Sequence, residues 1–279
     1  WQLTVGNQTT VPTATTSCYH PPIVTFFSYS PTQVMQPVWH TTAGGDALYL
    51  HGMYFGVAGT HVDSVIYTPS NLQSLAPPHA EAPLGAIAET FSFDSTLSCS
   101  VIIHHIVLNC STTAGGGRDL KWEVVIGGQA NVVPTTTYQV PTITHAYANT
   151  SDGALATTGG ETIVLEGEDF GEEAFFPRLT FSSAADPGSV YEGTECNVTS
   201  HSTLTCKTPV AVGRHLTFLA VVAGQTSARF PTTSVSCRDP LLTSFTPAQV
   251  EERFTNGGYL VSLTGTDLGL AVPGASRRV

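Results

Sequence analysis

The stretch that decides the fold is Gly159-Gly160-Glu161-Thr162-Ile163-Val164-Leu165-Glu166-Gly167-Glu168-Asp169-Phe170-Gly171. Thr162 and Val164 alternate with Ile163 and Leu165, the period of a half-buried strand, and the flanking glycines permit the positive φ that its two turns need. The same spacing, Gly-Gly, six residues, Gly, two residues, Phe or Leu, Gly, returns at Gly44-Gly45…Gly52…Phe55-Gly56 and at Gly257-Gly258…Gly265…Leu268-Gly269. Three copies at one internal spacing define a tandem repeat.

Two further elements recur around this strand. Trp1 to Gln8, Trp122 to Gln129 and Leu219 to Gln225 each read as a closing strand running into Gly-x-Gln or Gly-Gln. A Pro-led opening strand follows at Pro21/Pro22, Pro141 and Pro240, after Thr-rich linkers such as Thr9 to Ser17 and Pro134 to Thr137. With 26 Gly and 18 Pro scattered through 279 residues, no helical period of useful length survives, so the chain is expected to be all-β.

This pattern resembles the IPT/TIG family of immunoglobulin-like modules found in plexins, growth-factor-type receptors and some transcription factors. The resemblance rests on Pro141, Gly159-Gly160, Gly167 to Gly171, Cys196 with Cys206-Lys207-Thr208-Pro209, and Gly224-Gln225. It implies tandem immunoglobulin-like β-sandwiches in an elongated array. The expected map is a closing strand and linker over 1–16, module 1 over 17–137, module 2 over 138–236 and an incomplete third module over 237–279. Module 1 carries an Ala/Pro-rich insertion from Leu75 to Ala88. The repeat is cut inside a module at each end, the reading of a window onto a longer array.

Composition narrows the function classes. Ten Lys and Arg stand against 21 Asp and Glu, a net charge of −11, and the lysines are Lys121 and Lys207 alone. Such a chain lacks the basic footprint that nucleic acid or anionic lipid requires. Its apolar runs are far shorter than a bilayer span, so no membrane insertion is expected in this segment. Four sequons, at Asn7, Asn109, Asn149 and Asn197, and six cysteines point to an oxidising, extracellular or cell-surface setting with covalent glycans. Cys99 with Cys110 and Cys196 with Cys206 lie 11 and 10 residues apart, a separation that an antiparallel strand pair closes into a disulfide. Cys18 and Cys237, each three residues before a proline (Pro21 and Pro240), have no mate in the chain and read as unpaired or inter-chain thiols. The Thr-rich stretches Thr9 to Thr16 and Thr135 to Thr137 are candidates for O-glycosylation.

Catalytic, cofactor and metal motifs are missing from the sequence, so no enzyme and no cofactor are expected. His104-His105 on a strand would point to opposite faces and could not chelate one ion together. Glu166, Glu168, Asp169, Glu172 and Glu173 lack the ligand spacing of a calcium loop and read as a solvated strand end. Phe26-Phe27 and Phe175-Phe176 place one ring on each strand face, in core and inter-module packing. The expected function is structural: a glycosylated subunit of a filament, surface coat or adhesive appendage whose partners are copies of itself and another surface protein. The alternatives are a receptor or adhesion ectodomain and, behind it, the accessory region of a secreted carbohydrate-active enzyme.

Overall fold

The structure, a computed structural model, describes residues 2–12, 18–33, 37–69, 91–93, 99–171, 177–246 and 262–269. A hairpin, β1 (Thr4–Val5) and β2 (Gln8–Thr9), comes first. It is followed by β3 (Ile23–Ser28), β4 (Trp39–His40), β5 (Ala47–Met53), β6 (Ser64–Pro69), β7 (Phe91–Phe93), β8 (Cys99–Ile103), β9 (Val107–Ser111), β10 (Leu120–Ile126) and β11 (Gln129–Tyr138). Next come β12 (Thr142–Ala148), β13 (Thr162–Glu168), β14 (Arg178–Ser183), β15 (Asp186–Glu192), β16 (Thr194–Ser200), β17 (Thr203–Lys207), β18 (Leu216–Val222), β19 (Gln225–Thr226) and β20 (Phe230–Pro231). A last hairpin joins β21 (Leu241–Thr246) to β22 (Ser262–Thr266). The chain is all-β, as expected, and forms tandem β-sandwiches.

In the first sandwich, sheet β3-β5-β9-β8 packs on sheet β4-β11-β10-β6-β7; in the second, β12-β13-β17-β16 packs on β15-β14-β18-β19. The repeated strand is central to its sheet in both. Its inward residues, Leu48 and Leu50 or Ile163 and Leu165, are fully buried, facing Trp122 and Tyr67 or Phe218 and Phe181. Phe55 and Phe170, the aromatic of each motif, are also fully buried, which contributes about 2 kcal/mol apiece.

The middle glycine of the motif is required by close approach. A Cβ on Gly52 would stand 1.8 Å from the Ile23 carbonyl oxygen, and one on Gly167 1.8 Å from that of Thr142. Gly265 repeats the contact at 2.0 Å from Leu241. These glycines pair with Val24, Ile143 and Leu242, so Pro22, Pro141 and Pro240 are equivalent. Cys237 therefore matches Tyr138 and Tyr19, whereas Cys18 falls one position earlier; the double proline hides this in the sequence.

The closing strands differ from expectation. β10 does not end its sandwich: Gly127 and Gly128, at φ 60° and 71°, turn the chain into β11, and the expected linker Pro134 to Thr137 lies inside that strand. Two consecutive positive φ angles are the geometry of the tight hairpin turn whose twist matches its strands. Gly6-Asn7 and Ala223-Gly224 repeat it, so the first hairpin corresponds to the turn between β10 and β11. The glutamine after the turns at Gly127-Gly128 and Ala223-Gly224 ties down the start of its own sandwich. Gln129 Nε2 donates to the Tyr19 carbonyl at 2.7 Å and Gln225 Nε2 to the Tyr138 carbonyl at 2.8 Å.

Candidate functional site: the joints between sandwiches

Thr42 lies in the loop from β4 to β5, two residues before Gly44. Its backbone N–H donates to Asp169 Oδ1 of the second sandwich at 2.9 Å. The Thr42 hydroxyl sits 3.3 Å from the same oxygen and 3.1 Å from His201 Nδ1, and accepts the Gly171 N–H at 3.2 Å. Thr42 and Asp169 are both buried. Asp169 holds φ at 61°, a left-handed conformation that aspartate tolerates better than most residues. A hydroxyl has one proton, so Thr42 gives it to Asp169 or to His201 according to the histidine tautomer.

The same joint recurs one repeat later. The Thr157 N–H donates to Asp267 Oδ1 at 3.0 Å, its hydroxyl lies 3.3 Å from that oxygen, and Asp267 has φ 55°. Behind each joint a backbone bond of 2.8 Å fixes the outgoing chain: Gln139 N–H to the His40 carbonyl, and Arg238 N–H to the Leu155 carbonyl. The second joint adds ion pairs. Arg238 lies 2.8 Å from Asp152 and 3.1 Å from Glu161, and Arg214 pairs with Asp239. The hydrogen bond from Arg238 holds the Asp152 carboxyl well below the usual carboxylate range. A groove of about 700 Å³ runs beside this joint, lined by Thr157, Cys237, Arg238, Leu242, Leu263 and Asp267 among others.

The first sandwich departs from the pattern at its own leading end. Tyr54 occupies the position of Asp169 and Asp267, with φ 67°, and stacks on His20 at 4.8 Å. Around it Met53, Val57, Ile103 and Ile106 are exposed.

The residues singled out in the sequence are distributed as follows. Cys99 is bonded to Cys110 and Cys196 to Cys206, each pair tying the edge strand β8 or β16 to its neighbour. Cys18 is exposed and Cys237 buried, its thiol pushed up to about 11 mainly by burial. Asn7 sits at a hairpin turn and Asn149 just beyond β12, both exposed, while Asn197 is half-buried on edge strand β16. Asn109 lies in β9 between β5 and β8, with Oδ1 buried and unpartnered.

His104 and His105 occupy the turn between β8 and β9 rather than a strand, with His105 at φ 65°, because the hairpin reverses there. Phe27 is buried against Trp122, at a ring distance of 5.1 Å, and Phe26 stacks on His51 at 4.3 Å on the other face. In the acidic run, Asp169 is the joint residue and Glu166 is exposed. Glu172, Glu173, Phe175, Phe176, the insertion Leu75 to Ala88 and, within Thr9 to Thr16, residues 13–16 lie outside the described residues. Thr136, within the stretch expected to be O-glycosylated, is buried in β11. Among the described residues no cluster of three or more His, Cys, Asp or Glu could hold a metal ion, and no helix is long and apolar enough to cross a membrane.

Sequence reasoning missed the joint residues. The signal was present: Thr stands two residues before Gly-Gly at Thr42, Thr157 and Thr255, and Asp precedes Phe or Leu at Asp169 and Asp267.

No protein-family model matches the chain, and no curated protein does. Solved structures do. A surface glycan-binding protein from Prevotella bryantii is similar at 11% identity and TM-score 0.40, over 76% of this chain and 42% of that one. A surface glycan-binding protein from a xyloglucan utilization locus of Bacteroides uniformis is similar at 15% identity and TM-score 0.26, over 77% and 49%. The plexin A4 extracellular region is similar at 12% identity and TM-score 0.30, over 83% and 21%. The chain thus spans less than half the length of each.

Proposed function

We propose that the chain is an extracellular structural segment of a filament, surface coat or adhesive appendage, built from IPT/TIG-like modules at 17–137 and 138–236 with a further module beginning at 237. The observation that carries this reading is the repeated joint, Thr42 to Asp169 and Thr157 to Asp267. A head-to-tail contact that recurs with the same chemistry and does not close on itself propagates along a line. The low charge supports the reading, as do the disulfides and the exposed sequons Asn7 and Asn149, which suit a glycosylated surface in an oxidising compartment. Electron microscopy of native material tests it. Fibres or arrays with a regular axial repeat are expected, and dispersed particles of one chain each would overturn it.

A second reading, an adhesion or receptor ectodomain, draws on Met53, Tyr54, Ile103 and Ile106, exposed where the later repeats carry a joint. An apolar end of this kind suits a protein partner. In that case Ile103→Asp abolishes partner binding while the fold persists.

A further inference from the structure

The two sandwiches are built alike but differ at one buried site. Tyr67 pairs with Trp122 where Phe181 pairs with Phe218, and Tyr138 N–H bonds to the Gly117 carbonyl where Cys237 N–H bonds to that of Gly213. By the same register His40 matches Leu155 and Thr136 matches Val235. A polar and aromatic set in the first sandwich is therefore replaced, position by position, by Leu155, Phe181, Phe218, Val235 and Cys237 in the second. All ten residues are buried.

His40 is the centre of that set. It has no exposed surface, and its Nε2 lies 2.8 Å from Thr136 Oγ1, which also accepts the Trp122 Nε1–H at 2.8 Å. Its Nδ1 has no hydrogen-bond partner. Tyr29 from the β3–β4 connection, Tyr67 of β6, Trp122 of β10 and Tyr138 of β11 surround the ring at 5.7 to 6.5 Å. Among the described residues the carboxylate whose charge is felt there is Asp46, before β5, and its Oδ2 already accepts the Thr41 N–H and hydroxyl. Burial outweighs that charge and lowers the His40 pKa to about 4. The tyrosines do not offset it, since burial raises Tyr29 to about 12 and Tyr67 above its ordinary value.

A proton on this ring creates a buried cation with one N–H facing no acceptor, a state the fold opposes. β4 is the edge strand of its sheet, paired with β11, so its departure opens a path from the ring to water. β4 is two residues long and runs straight into Thr41 and Thr42, so its departure withdraws Thr42 from Asp169.

We propose that acid opens the joint between the first and second sandwiches by protonating His40, and leaves the joint built over Leu155 closed. This rests on the joint reading above. The test is amide exchange of the full chain by NMR between pH 7.5 and 4.5, corrected for intrinsic rates. It compares Thr42 and Gln139 with their matched controls Thr157 and Arg238. Linkage from an ordinary pKa to a depressed one predicts that Thr42 and Gln139 lose protection by about 30-fold at pH 5, while the controls hold. His40→Leu, the residue of the second sandwich, is expected to remove the loss. Equal loss at both joints, or a loss that persists in His40→Leu, would overturn the proposal. Should that variant fail to fold, direct titration of the wild-type His40 ring decides: a midpoint near 6.5 with Thr42 still protected overturns it. Absence of protection at both Thr42 and Thr157 at pH 7.5 overturns the joint itself.

Discussion

Thr42 and Asp169 stand 127 positions apart in the chain, yet the backbone N–H of one is satisfied by the carboxylate of the other at 2.9 Å, inside a buried contact between two sandwiches. Removing the carboxylate strands a buried donor, at a cost of about 1.5–3 kcal/mol for a bond to a charged group. Asp169→Ala adds strain, because alanine dislikes the φ of 61° that aspartate holds there. Asp169→Asn keeps both the acceptor and the backbone preference. Urea denaturation is expected to show a substantial loss of stability for the alanine variant and less than half of it for the asparagine variant.

The glycine inside the repeat offers a sharper test of the fold. A Cβ at Gly167 would lie 1.8 Å from the Thr142 oxygen, so Gly167→Ala must part β12 from β13. Thermal unfolding should register a loss of about 3 kcal/mol or more, the range of severe overpacking. Gly160, whose Cβ would meet nothing, is at φ 87° and suffers backbone strain alone.

Glycan placement follows from exposure. Asn7 and Asn149 are open and Asn197 lies on an edge strand, so glycopeptide mass spectrometry of material from a secretory host is expected to find them occupied. Asn109 should be bare, since it lies mid-sheet with Oδ1 buried and its sequon contains the bonded Cys110.

The two free thiols should differ in reactivity. Cys18 is exposed, whereas Cys237 is buried and its thiol is pushed up to about 11, which leaves little thiolate at pH 8. Alkylation of the native chain at pH 8 is expected to modify Cys18 alone, and the same ranking makes Cys18 the residue available for an inter-chain bond.

The fold was legible because glycine positions are dictated by backbone geometry: Gly52, Gly167 and Gly265 cannot be anything larger, and their spacing announced the repeat. The joint was less legible for two reasons. Thr42 and Thr157 are ordinary in a Thr-rich chain, and Asp169 sits within Glu166, Glu168, Glu172 and Glu173, where one functional carboxylate looks like its solvated neighbours. Neither residue's role shows until tertiary structure brings residues from two repeats together. The His40 site was hidden for a similar reason, because its equivalence to Leu155 depends on the register of strands far apart in sequence.

Backbone ¹⁵N relaxation of the wild-type chain tests the Thr–Asp joint most directly, because it reports whether two sandwiches tumble as one body. A shared rotational diffusion tensor is expected for residues 37–69 and 142–171 at neutral pH, which Asp169→Ala splits into two. Independent tumbling of the two sandwiches in the wild-type chain would contradict it.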